Sequence, residues 1–216
     1  MSRLLTLEEG VILTKFARHA IETYIRNKQQ LDIPTTNSKS LHEIRGIFVT
    51  LKKRQGEEVD KWILRGCIGR LPPGPISRAE PVPLLEATRQ AALSSALDDP
   101  RFPPVQEEEL ESILVEVSVL TVPEELVVQD RKKLAEHITV GKDGLIIEGR
   151  GWHRGLLLPQ VAPEQGWNAE QFLQGCCQKA GLPPASYLKT EVRIYKFQAQ
   201  IFSETSVCGE IVERIF

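Results

Sequence analysis

The sequence predicts an α+β fold with mainly antiparallel sheets and three main helices. Two capping-box patterns mark helix starts: Thr6 with Glu9, and Asn168 with Gln171. Several short segments are β-branched and apolar in alternation, the pattern of half-buried strands. Only three helical stretches interrupt those strands, too few for a doubly wound parallel sheet, whose crossovers each need a helix.

The elements follow in order. After Thr6, residues Val11, Ile12, Phe16, Ala20, Ile21 and Tyr24 recur at helical spacing, which predicts a helix over residues 7–28. A polar connection leads to GIFVTLK at 46–52, a strand, then a charged turn at 55–61 and an antiparallel partner at 61–71. Residues 72–83 carry five prolines and read as a loop. A second helix spans residues 84–97 and stops at Asp98-Asp99-Pro100. SILVEVSVL at 112–120 alternates as a strand, and the charged stretch 124–137 has room for a short helix. Residues 138–148 read as a hairpin turning at Gly141-Lys142-Asp143-Gly144, and 156–158 as a short buried strand. The third helix covers residues 168–180 and is closed by Gly181 and Pro183-Pro184. A long strand occupies residues 190–202.

A chain of 216 residues can bury a core in one domain or in two closely packed lobes. Its 27 basic and 29 acidic side chains nearly cancel, which leaves no basic footprint for nucleic acid. No apolar run reaches the ~20 residues of a membrane span. The start, MSRLLTLEEG, turns acidic before a signal-peptide core could form, so a cytoplasmic location is expected. The four cysteines, Cys67, Cys176, Cys177 and Cys208, show neither a C-x-x-C pair nor zinc-ligand spacing, and no metal site is expected.

The chemistry concentrates at LRGCIGRL, residues 64–71. Cys67 is a nucleophile or ligand contact in one reading and a packed core thiol in the other. Gly66 and Gly69 permit close approach of backbone or ligand because no Cβ intervenes. Arg65 would share a strand face with Cys67, where it could favour thiolate or clamp an anion; the plainer reading pairs it with an acid. Glu116 breaks an apolar strand and reads as a solvated side chain, or as a proton-transfer group or Arg65 partner if it faces a cleft. His153, inside GRGWHRG, is the chemically best base for the thiol, and that loop could also cradle an anion. Gln160, after Leu158-Pro159, could orient a ligand. RGCIG, DPRFPP and GLLLPQ, with Cys67, Arg101 and Gln160, are expected to converge on one site.

The ordered strings GIFVTL (46–51), LRGCIG (64–69), DPRFPPV (99–105), VEVSVLT (115–121), PEEL (123–126), GLLLPQVA (155–162), GW (166–167), KAGL (179–182) and YKFQAQIF (195–202) resemble the AMMECR family. The resemblance spans roughly residues 7–205 and makes the whole chain, 1–216, one AMMECR-like domain. It implies a fold in two unequal lobes. The length suits the stand-alone microbial form, component A of the AmmeMemoSam system, whose companions are a Memo-like protein and a radical S-adenosylmethionine enzyme. It specifies neither a reaction nor a cofactor. The functional expectation is therefore an enzyme or enzyme component that binds a small polar substrate near Cys67. The alternative is a non-catalytic binding or adaptor module working with those companions.

Overall fold

The computed structural model describes residues 4–54, 62–72, 77 and 80–215. In chain order its elements are α1 (Leu7–Asn27), β1 (Gly46–Arg54), β2 (Trp62–Arg70), α2 (Leu84–Leu97), β3 (Ile113–Leu120), β4 (Glu124–Glu125), β5 (Asp143–Glu148), β6 (Arg154–Leu157), α3 (Val161–Gln165), α4 (Ala169–Lys179), β7 (Arg193–Glu204) and β8 (Ile211–Arg214). Short 3-10 turns lie at Ser40–His42, Glu107–Ser112, Arg131–His137 and Pro184–Leu188. All the strand pairings given below are antiparallel, as the alternation predicts. Two compact units divide the chain, one of Met1–Leu120 with Gln200–Arg214 and one of Thr121–Ala199 with Ile215–Phe216.

In the first unit α1 begins as its capping box requires: the Thr6 hydroxyl accepts from the Glu9 amide at 3.2 Å, and Glu9 accepts from the Thr6 amide at 2.8 Å. The sheet runs β2-β1-β3, and β8 pairs with the last residues of β7. Ile47, Val49 and Leu51 of β1 and Val115, Val117 and Val119 of β3 point to one face. There they join Leu13 and Phe16 of α1 and Leu85 and Ala92 of α2 in a common core. Removal of these side chains from water drives the packing, at about 1.5–3 kcal/mol for each large one. Arg18 of α1 is buried against Glu204 of β7, donating through Nε and Nη2, and also reaches the Ile113 carbonyl at 2.6 Å. Glu204 accepts the Val115 amide as well, at 2.9 Å. A buried ion pair is tolerated where its remaining donors and acceptors are filled in this way.

The second unit holds β4, the first part of β7, β5 and β6 in that order. Leu145 and Ile147 of β5 and Ile194 of β7 pack with Phe172, Leu173, Cys176 and Cys177 of α4. The Asn168–Gln171 capping box starts α4, with both reciprocal bonds made.

Three expectations change. The hairpin is β5–β6, turning at residues 149–153, with the Gly149 amide bonded to the His153 carbonyl at 2.8 Å. The Gly141-Lys142-Asp143-Gly144 turn instead feeds β5: Gly141 has φ +84°, and the Asp143 carboxylate accepts the Thr139 amide at 2.9 Å. β3 is buried on both faces, so Glu116 is not a solvated side chain; it is 1% exposed. β8 and α3 are additional elements. The charged turn at 55–61, and 73–76 and 78–79 of the proline loop, lie outside the described residues.

Candidate functional site

The site is built on the face of the first unit's sheet that turns away from α1 and α2. Thr50 of β1 stands opposite Cys67 of β2 on one side and Glu116 of β3 on the other. Because side chains alternate along strands, all three project to the same face, forming a polar row across three strands. The Thr50 hydroxyl donates to Cys67 Sγ at 3.3 Å. Glu116 accepts from Lys52 Nζ at 3.2 Å and from Arg214 Nη1 at 2.8 Å. Ser118, the next residue of β3 on this face, is fully buried.

Both glycines beside Cys67 are filled from within. A Cβ on Gly66 would lie 2.1 Å from the Ser95 carbonyl of α2, so the helix backbone rests directly on the strand. The Ser95 hydroxyl also reaches into the ladder, accepting from the Ile68 amide at 2.8 Å and donating to the Val49 carbonyl at 2.7 Å. A Cβ on Gly69 would lie 2.4 Å from the Phe48 ring, which covers it. Close approach is thus real, and the approaching groups are protein.

Arg65 sits where the β1–β2 register slips: Leu51 faces Gly66, Lys52 faces Leu64, and Arg65 is the extra residue of a bulge. Bulges re-aim side chains, and this one sends the guanidinium into the segment after α2. There it grips Glu109 through two bonds of 2.9 Å and donates to the Pro103 carbonyl at 2.9 Å. Arg65 is therefore paired with an acid, and the acid is Glu109, while Glu116 takes Lys52 and Arg214. The Arg65 guanidinium holds Glu109 down to a pKa of about 2.

Arg101 comes to Cys67 from the same segment. Asp99 Oδ2 accepts the Cys67 amide at 2.8 Å and Arg101 Nη2 at 2.6 Å; Oδ1 accepts Arg101 Nε at 2.9 Å and its amide at 3.1 Å. Arg101 Nη2 donates to the Cys67 carbonyl at 3.3 Å. The Arg101 guanidinium lowers Asp99 to about 2. Phe102 packs between the two arginines, 5.8 Å from Arg65 and 5.5 Å from Arg101. Sequence reasoning missed Thr50, Lys52, Glu109 and Arg214, which only strand pairing brings to the site, and Asp99, read only as a helix stop; the signal for Asp99 was an acid one residue before the proline of DPRF.

The Cys67 thiol is pushed up by burial. The Thr50 hydroxyl and Arg101 pull it down, Glu116 and Asp99 push it further up, and burial prevails. The neighbouring arginines therefore do not yield a thiolate at neutral pH. Of the other thiols, Cys176 and Cys177 are buried and pushed up for the same reason, and Cys208 is exposed.

The remaining candidates lie in the second unit. Gln160, 3% exposed, precedes α3 and accepts the Glu164 amide on its main-chain carbonyl. His153 Nδ1 is 3.1 Å from the Ala180 carbonyl, and Arg154 pairs with Glu148. Among the described residues no cluster of His, Cys, Asp and Glu has the arrangement to hold a metal, and no helix is long and apolar enough to cross a membrane.

A family model described as AMMECR1 matches residues 14–202. Protein MJ0810 of Methanocaldococcus jannaschii is 48% identical over 98% of each chain. A protein of Methanothermobacter thermautotrophicus is 50% identical over 93% of this chain and 96% of its own. The solved structure of the uncharacterized protein PH0010 from Pyrococcus horikoshii superposes with a TM-score of 0.88 at 43% identity, covering 99% of this chain and 100% of that one.

Proposed function

The chain belongs to the AMMECR1 family, and we propose that it works as the ligand-holding component of an enzyme system, with a small polar substrate bound at the polar face around Cys67. The observation that carries this reading is the row Cys67–Thr50–Glu116. Sheets bury such polar rows at a cost, since each hydroxyl, thiol and carboxylate must be desolvated and paired. Apolar side chains would stabilise the same position without that cost.

In this reading Cys67 is a neutral contact for ligand, because a thiol raised by burial has little thiolate to attack with. Glu116 lies behind Cys67 and Thr50 in the row and acts on the ligand through its charge and through Lys52 and Arg214, which it holds in place. Arg101, whose side chain is 40% exposed, offers its outer edge to an anionic part of the ligand. Gly66 and Gly69 serve indirectly, by letting α2 and Phe48 lie against β2 and so fixing Cys67 between them. The proposed companions are a Memo-like protein and a radical S-adenosylmethionine enzyme.

The test is a thermal-shift screen of polar metabolites on the pure chain and on its Glu116→Gln and Cys67→Ser variants. A metabolite that raises the wild-type Tm and stabilises both variants less is expected. A metabolite that stabilises all three equally would overturn the placement at this face. The adaptor reading draws support from one feature: Arg65, Asp99 and Arg101 spend their bonds within the chain. It expects no metabolite shift at all, together with undiminished binding of the two companions by Glu116→Gln in gel filtration.

A further inference from the structure

β2 is the outer strand of the first unit's sheet, and Cys67 presents its amide and carbonyl along that outer edge. An edge of this kind needs partners for both groups. Here a side-chain pair supplies them: the Asp99 carboxylate takes the N–H at 2.8 Å and the Arg101 guanidinium gives a donor to the C=O at 3.3 Å. That is the donor–acceptor pattern a neighbouring strand would offer. The pair is closed on itself by three further bonds between Asp99 and Arg101, and Asp99 is 3% exposed.

Resting on the reading of Cys67 as the centre of the site, we propose that Asp99 and Arg101 are a positioning pair that stands in for a neighbouring strand at Cys67 and sets the reactivity of its thiol. Holding both backbone groups of Cys67 fixes its backbone dihedrals, and with them the placement of Sγ against the Thr50 hydroxyl. The charges act together. Arg101 alone would draw the thiol toward thiolate; Asp99, bonded to it through both carboxylate oxygens, offsets that pull. The groups facing the thiol are Thr50 from β1, Glu116 from β3 with Lys52 and Arg214 bound to it, and Asp99 and Arg101 from the segment after α2. Of these, only Asp99 and Arg101 also hold the Cys67 peptide among the bonds described above.

The experiment is the pH profile of iodoacetamide labelling at Cys67, followed by mass-spectrometric mapping on the full chain. Asp99→Asn keeps the size of the side chain and removes its charge, leaving Arg101 unopposed. Labelling at pH 7 should rise about three- to tenfold and the profile should move to lower pH, a tenfold change corresponding to one pKa unit. Arg101→Gln should do the reverse, and Arg101→Lys, which keeps the charge, should restore most of the wild-type rate. Loosening of the strand alone would speed labelling in both charge variants, so equal signs for Asp99→Asn and Arg101→Gln overturn the proposal, as does an unchanged rate in both. Should Asp99→Asn not fold, Arg101→Gln against Arg101→Lys still decides, and matching rates reject the idea. Labelling uses no metabolite, so failure of the ligand-holding reading shows in the thermal-shift screen and leaves this readout intact.

Discussion

The two units use one frame for different ends. Each has an outer strand with a glycine on which helix backbone rests: Gly66 under Ser95 of α2, and Gly155 under α4, where a Cβ would meet the Cys176 carbonyl at 2.7 Å and the Ala180 amide at 2.5 Å. Each covers a second glycine with the phenylalanine opposite it, Gly69 with Phe48 and Gly144 with Phe197. In both, the residue after the helix-bearing glycine opens a row across three strands. In the first unit the row is Cys67–Thr50–Glu116; in the second it is Leu156–Ile146–Tyr195. The frame therefore demands no polar residue at the first two places, which are aliphatic in the second unit, while the third is polar in both, Glu116 in one and the buried Tyr195 in the other. The first unit departs from plain packing at the Cys67 and Thr50 places and carries a charge at the third.

The largest effect that would separate the units is loss of the Arg18–Glu204 pair, which only the first contains. Arg18→Ala leaves a buried carboxylate without its cation and should cost about 3–5 kcal/mol. Hydrogen exchange should show α1 and β3 losing protection well before α4. Uniform loss throughout would mean that the units unfold as one.

The shared frame predicts a shared weakness. Gly66→Ala and Gly155→Ala each drive a methyl into helix backbone and should cost about 1–3 kcal/mol or more in urea titrations. Gly66 should be the worse of the two, since its contact is 2.1 Å against 2.5 Å. A mild Gly66→Ala would show that α2 yields easily and that the close approach fixes nothing.

Acid should also tell the units apart. Asp99 and Glu109 are both held down to about 2 by their arginines. A carboxylate lowered on folding contributes stability that is present above its unfolded pKa and is lost as pH falls through the folded one. Protection of β2 and of residues 99–109 should therefore decline between about pH 4.5 and pH 2, and Asp99→Asn should flatten that decline. A pH-independent exchange pattern in this segment would contradict the pairing.

The smallest effect concerns the row itself. Thr50→Val makes the first unit's centre resemble Ile146 of the second and removes the hydroxyl bonded to Cys67. Stability should change by about 1 kcal/mol or less, while Cys67 labelling slows about twofold. In the wild type the order of labelling should be Cys208, then Cys67, with Cys176 and Cys177 last, following their exposure.

Much of the fold was legible because its signals are local. Capping boxes placed α1 and α4 within a residue or two, and the apolar run beginning at Leu84 placed α2 although no side chain caps it. The misreadings share a nonlocal cause. Glu116 looked solvated because one charge in an alternating strand normally marks the wet face; its cations lie 64 and 98 residues away. Arg65 was expected beside Cys67, and a one-residue bulge, set by pairing with β1, turned it toward Glu109. The Gly-Lys-Asp-Gly string is a real turn, but Asp143 spends its side chain closing the segment before β5 rather than joining two strands. Cys67 and Arg101 were expected together and are joined through Asp99; Gln160 belongs to the other unit.

β7 passes from one unit to the other: residues up to Ala199 belong to the second and those from Gln200 onward to the first. Gln200 takes the Leu5 amide at 2.8 Å, 195 positions back along the chain, and Glu204 takes Arg18 across 186. During synthesis Arg18 emerges 186 residues ahead of Glu204, and until then its only carboxylate among the bonds described is Glu22 of the same helix, at 3.2 Å. Contacts so distant in sequence close late and slowly. The second unit, contiguous apart from its last two residues, has its sheet residues in hand earlier. The segment up to Leu120 thus waits for residues 200–214 to complete its sheet, and a nascent chain arrested before residue 200 would carry an Arg18 with no Glu204 to meet.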